Sequence, residues 1–153
     1  MNTKFSGDLG EDFAVSVLED EGYTVVERNA KYAGCEADVV CDCYLDENGL
    51  PVGQKSAFRE FLRRIFRLKG VEKGERTIVF VEVKKRCGDE NGSAQEAVTP
   101  YKAGRYVTLA KAYLSQHGLC NVNVRFDIFA INGDCYEHIR DAFSQNDAKY
   151  PKN

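Results

Sequence analysis

The chain has 153 residues, which suits a single domain long enough to bury a core. Its 43% hydrophobic and 29% charged residues are ordinary for a globular protein, and no apolar run approaches the roughly 20 residues of a membrane helix. A formal charge of -3 excludes a globally basic nucleic-acid binder but leaves room for a local basic groove.

The segment Gly7 to Glu21 reads as a helix, with Phe13, Ala14, Val17 and Leu18 at helical spacing and Gly22 as its stop. Glu11 borders the apolar stripe of this helix. A first strand is expected over Tyr23 to Arg28 and a second over Cys35 to Tyr44, with Gly34 at the turn between them. The second strand puts Glu36, Asp38, Val40 and Asp42 on one face. Residues 45–76 interrupt the pattern. Asp46 to Pro51 is turn chemistry, and Gln54 to Lys69 reads as a basic amphipathic helix. That helix carries Lys55, Arg59, Arg63, Arg64, Arg67 and Lys69 against an apolar stripe of Phe58, Leu62, Ile65 and Phe66.

Thr77 to Lys85 is expected as the third strand, followed by a loop over Cys87 to Gly92. Ser93 to Glu96 has capping-box form, and Thr99-Pro100 also suits a helix start. The helix should run to about Gln116 and end near Gly118. Val122 to Ile131 reads as a fourth strand, with Asn132-Gly133-Asp134 turning toward a short fifth near Cys135 and Tyr136. Glu137 to Phe143 is expected to form a helical turn or two. Residues 1–143 are then one domain, and the polar tail 144–153 frays. The order is α-β-β-insert-β-α-β, an α/β fold with a mixed central sheet flanked by helices.

Six cysteines are many for this length, but none forms C-x-x-C, and Cys41-x-Cys43 puts two thiols on one strand face. The reading is reduced thiols, several of them buried. The first residues lack an apolar signal core, so a cytoplasmic location is expected.

Chemistry concentrates where charges interrupt apolar strands. Asp38 lies in Ala37-Asp38-Val39-Val40, and Glu82 and Lys84 lie in Ile78-Val79-Phe80-Val81-Glu82-Val83-Lys84. Charges in such runs are paired or hold a metal. Alternation puts Glu82 and Lys84 on the same face. Two carboxylates can give oxygen ligands to Mg²⁺, which keeps several waters. A lysine beside them can orient the attacking water or offset charge developing on phosphorus. Glu11 can complete such a site or help with a second metal. The plainer alternative is a buried ion pair between Lys84 and Glu82 or Asp38.

The sequence resembles the YraN-like family of small bacterial proteins, which is placed in the PD-(D/E)xK nuclease superfamily. The resemblance is carried by Gly10-Glu11 with Ala14 and Leu18, by Gly22-Tyr23, Arg28-Asn29 and Cys35-Glu36-Ala37-Asp38-Val39-Val40, and by Phe80-Val81-Glu82-Val83-Lys84 with Arg86. It continues through Ala97-Val98, Lys102, Arg105, Ala112-Tyr113-Leu114 and Arg125-Phe126-Asp127, and it omits only the insert and the tail. It implies a restriction-endonuclease-like fold akin to archaeal Holliday-junction resolvases. It also implies Asp38 and Glu82 as metal ligands joined by the Val83 carbonyl, Lys84 as the catalytic lysine and Glu11 as a helix-borne acid. Two departures stand out: Cys35 replaces the family glycine before Glu36, and the basic insert lengthens a connection that the family keeps short.

The expected function is a Mg²⁺- or Mn²⁺-dependent nuclease that hydrolyses DNA, on branched or damaged structures, and leaves a 5′-phosphate. Lys102, Arg105 and, in the insert, Arg59, Arg63, Arg64 and Arg67 are candidate phosphate contacts. The insert could also serve a membrane surface or a partner protein, or simply pack, and the preferred reading is packing of its apolar face together with nucleic-acid contact. Glu36 is either an accessory ligand or the partner of Lys102 or Arg28. Arg125 and Asp127 read as a structural ion pair. The rival function is a non-catalytic nucleic-acid-binding or adaptor protein that retains the fold. A homodimer accords with the resolvase likeness.

Overall fold

The computed structural model describes residues 3–52, 74–86 and 98–148. Its elements are α1 (Thr3–Asp20), β1 (Val25–Tyr32), β2 (Cys35–Leu45), β3 (Glu75–Arg86), α2 (Pro100–Gln116), β4 (Asn123–Asn132) and β5 (Cys135–Phe143), followed by a 3-10 turn at Gln145–Asp147. The five strands form one sheet in chain order, β1-β2-β3-β4-β5. Only β3 and β4 run parallel, and α2 lies between them in the chain; the other neighbours are antiparallel.

The helix ends follow local chemistry. Gly22, at φ 96°, closes α1. Its N–H reaches the Glu19 carbonyl, and the Tyr23 N–H reaches that of Leu18, a Schellman pattern. Thr99 caps α2 through the Lys102 N–H, with Pro100 just inside. Ala33 and Gly34, both at positive φ, form the two-residue turn between β1 and β2. Cys35 is therefore already in the strand, and its replacement of a glycine needs no left-handed backbone.

Strand alternation divides the core between two faces. Val79 and Val81 pack with Val39, Cys41, Phe129 and Ile131 beneath Ala14 and Leu18 of α1. Ile78 and Phe80 pack with Val40, Ile128 and Phe126 beneath Tyr106, Leu109 and Tyr113 of α2. Cys41 and Cys43 share the α1 face as buried free thiols, pushed up by burial, Cys43 to about 12. Cys120 and Cys135 are exposed.

The largest correction is at the C-terminal end. Glu137 to Phe143 is strand rather than helical turns, and β5 pairs with β4 from Asn132–Cys135 to Phe126–Phe143. The hairpin between them turns at Gly133, whose φ of 58° suits a residue without a side chain. The start of the tail is also ordered, since Ser144 and Asp147 form a reciprocal capping box. β1 runs later than expected, to Tyr32.

The helix expected over 54–69, with Arg59, Arg63, Arg64 and Arg67, lies outside the described residues, as do Cys87 and the capping box at Ser93. At the edges of the insert, Asp46 accepts the Asn48 and Leu50 N–H groups, and Leu45 bridges to Pro51. A Cβ on Gly74 would collide with a Val52 methyl and lie about 3 Å from the Leu45 backbone, so the segment leaves and rejoins the sheet at one place. No described helix is long and apolar enough to cross a membrane.

Candidate functional site

The ladder between β2 and β3 ends at the Val39–Val81 pair. One residue further on, the Asp38 carboxylate accepts the Val83 N–H at 2.6 Å, taking the place of a strand carbonyl. The alternation of β2 slips there, because Ala37 and Val40 pack in the same cluster although they are three apart. Asp38 is thus held against Glu82-Val83 where the two strands part.

Glu82 projects toward α2. Its Oε1 meets the Lys102 ammonium, and its Oε2 accepts the Tyr106 hydroxyl. Lys84 follows two residues along and shares that face, half-buried. Glu11 reaches the same neighbourhood from α1. Its carboxylate accepts the Asn29 amide at 3.0 Å, and Arg28 lies 3.9 Å away. Asn29 sits between the Arg28–Val39 and Ala30–Ala37 pairs, hence across from Asp38. Its φ of 50° is one that asparagine tolerates in a strand irregularity.

The electrostatics follow from crowding. Burial, then the charge of Glu82, pushes Asp38 up to about 7; Glu11 adds to this, while the Val83 N–H and Lys102 oppose it. Burial and the neighbouring carboxylates also raise the Tyr106 hydroxyl far above its ordinary range, so it remains a donor.

The structure thus brings Asp38 near Glu82, Glu11 and Lys102, and strand alternation sets Lys84 on the Glu82 face. It also settles two pairings. Lys102 is on Glu82 rather than Glu36, and Glu36 is exposed beside Lys31 at 3.5 Å rather than paired with Lys102 or Arg28. Arg105 donates to the Gly34 carbonyl at 3.0 Å. Tyr106 was not singled out in the sequence, although Lys102 and Tyr106 stand four apart on one helix face.

Asp38 and Glu82 fit a divalent cation of a particular kind. Among the described residues no three His, Cys, Asp or Glu side chains converge into a cage. Two carboxylates suit Mg²⁺ or Mn²⁺, which retain waters and take substrate oxygens. Burial first and the charge of Glu82 second disfavour the ionised Asp38, and a cation would offset that cost.

A second polar cluster lies on the α1 face. Arg125 grips Asp127 through Nε and a terminal nitrogen at 2.8 and 2.7 Å, confirming the structural ion pair. Arg125 also donates to the Tyr23 hydroxyl and the Gly49 carbonyl. His138, with a side chain 2% exposed, meets Asp127 through Nε2 and Glu21 through Nδ1. Both ring nitrogens thus face carboxylate oxygens. Among the described residues no buried side-chain nitrogen or oxygen lacks a partner.

The fold and this site define an α/β protein with a strand-borne carboxylate pair and lysine on a mixed sheet. The model of the uncharacterised protein family UPF0102 matches residues 10–131, and the chain belongs to that family. A UPF0102 protein of Desulforapulum autotrophicum is 33% identical over 141 residues, covering 90% of this chain and 91% of the relative. One from Geobacter sulfurreducens is 31% identical over 147 residues, covering 93% and 91%. Another, from Flavobacterium johnsoniae, is 33% identical over 144 residues, covering 90% and 92%.

Proposed function

We propose that the protein is a metal-dependent nuclease that hydrolyses phosphodiester bonds in DNA, with branched or repair intermediates as the favoured substrates. The observation that carries this reading is Asp38, held on the Val83 N–H and pushed up to about 7 beside Glu82, with Lys84 on the same face. A protein that only bound DNA would have little use for carboxylates crowded at a surface meant for phosphate.

In this reading Asp38, Glu82 and the Val83 carbonyl would hold Mg²⁺ or Mn²⁺, which would supply Lewis-acid activation of the phosphodiester when bound. Lys84 orients the attacking water and offsets charge developing on phosphorus. Glu11, steadied by Asn29 and Arg28, tunes the charge at Asp38. Arg105 and the insert arginines Arg59, Arg63, Arg64 and Arg67 neutralise backbone phosphates. Cleavage leaves a 5′-phosphate.

One observation favours a non-catalytic binding protein instead: Lys102 and Tyr106 already engage both oxygens of Glu82. Purified protein incubated with Mg²⁺ or Mn²⁺ and labelled single-stranded, duplex, flap and four-way-junction DNA separates the two readings. Cleavage is expected, and Asp38→Ala and Lys84→Ala should each lower it by at least about a hundredfold. Cleavage that survives both substitutions, or no cleavage of any substrate, sinks the nuclease reading.

A further inference from the structure

Lys102 stands in the first turn of α2, three residues after the Thr99 cap. The unpaired N–H groups of a helix start favour anions, so a lysine there faces the wrong end of the helix dipole. Glu82 compensates. Its side chain is 14% exposed, and it takes the Lys102 ammonium on one oxygen and the Tyr106 hydroxyl on the other. Both partners come from one face of one helix. Arg105, the next cation along α2, points away to the Gly34 carbonyl.

We propose that Lys102 is a built-in counter-ion of Glu82, competing with a divalent cation for the same carboxylate. The inference rests on the reading of Asp38 and Glu82 as a metal site. An ammonium and a divalent ion cannot share one carboxylate oxygen without strong repulsion at a few ångströms. Cation binding therefore requires Lys102 to withdraw from Glu82, while Tyr106 can keep its hydrogen bond to the other oxygen. The affinity of the site is set below what its carboxylates alone would give.

The test is Mn²⁺ binding by the full chain, read from the spin-resonance signal of free Mn²⁺, for wild type, Lys102→Met, Lys102→Gln, Lys102→Arg and Asp38→Ala. Wild type is expected to bind one Mn²⁺ that Asp38→Ala loses. Lys102→Met and Lys102→Gln should bind it about tenfold more tightly, a modest factor because Lys102 is partly solvated. Lys102→Arg, which restores the charge, should return the affinity toward wild type. Damage to the fold loosens a metal site, so tightening is a change that a purely structural lysine would not produce. If Met does not fold, the Gln variant decides. Neutral variants that fold and bind Mn²⁺ no more tightly than wild type overturn the inference and leave the metal-site reading standing. Absence of Asp38-dependent Mn²⁺ binding in every protein overturns both.

Discussion

Asp38 carries an energetic cost that its surroundings impose. Its carboxyl is pushed from 3.8 to about 7, so the folded protein holds this proton more tightly than the unfolded chain does. The contribution to stability is fully present below the ordinary pKa and is lost as pH rises through about 7. In chelator-treated protein, Asp38→Asn should therefore raise stability by about 1–4 kcal/mol above pH ~8, and by little below pH ~4. Urea unfolding across that range checks it, and a stabilisation independent of pH would show that the charge is not the cause. The position of Asp38, Glu82 and Lys84 was legible in the sequence because period-two alternation and charge in an apolar run are local signals. Lys102 on Glu82 was not, because that contact depends on how α2 docks across the sheet. From the sequence alone Lys102 reads as a phosphate contact, as a side chain reaching from an apolar face to solvent, or as the partner of Glu36.

At the scale of elements, α1, β2, β3 and α2 were legible from apolar periodicity and caps, to within a few residues. β5 was mostly missed. His138, Arg140 and Asp141 dilute its pattern, and an edge strand with one wet face shows little alternation. Its identity comes from pairing with β4 and from the turn at Gly133, which are tertiary and backbone facts. The insert invites a different experiment. Because Val52 and Gly74 meet beside Leu45, replacing residues 53–73 with a short glycine linker should leave the melting temperature within a few degrees. If those residues serve as a basic arm, the same deletion should weaken DNA binding and flatten its salt dependence. Unchanged affinity and salt slope would remove the arm from the function.

Across the whole molecule, the Asp127 cluster ties together parts distant in sequence: Tyr23 after α1, Gly49 after β2, Arg125 and Asp127 in β4, and His138 in β5. Burial pushes the Asp127 carboxyl up, but hydrogen bonds from His138 and Arg125 outweigh it and hold the carboxyl below its ordinary value. Its stabilisation is therefore present above pH ~4 and is lost as acid titrates it. Asp127→Asn should destabilise the protein by about 3–5 kcal/mol at neutral pH, because the buried Arg125 is left without its charge partner. Thermal unfolding measures this, and a loss below about 1 kcal/mol would show that the cluster is dispensable.

The strand order has a consequence for synthesis on the ribosome. Since the sheet is laid down in the order in which its strands are made, each strand can add to the edge of the one before it, without threading between strands already paired. The residues of the carboxylate site, from Glu11 to Tyr106, have all emerged before β4 and β5. The last strand then supplies His138 and closes the opposite face, so a nascent chain stalled before β5 would hold the site's components without the clamp that completes the domain.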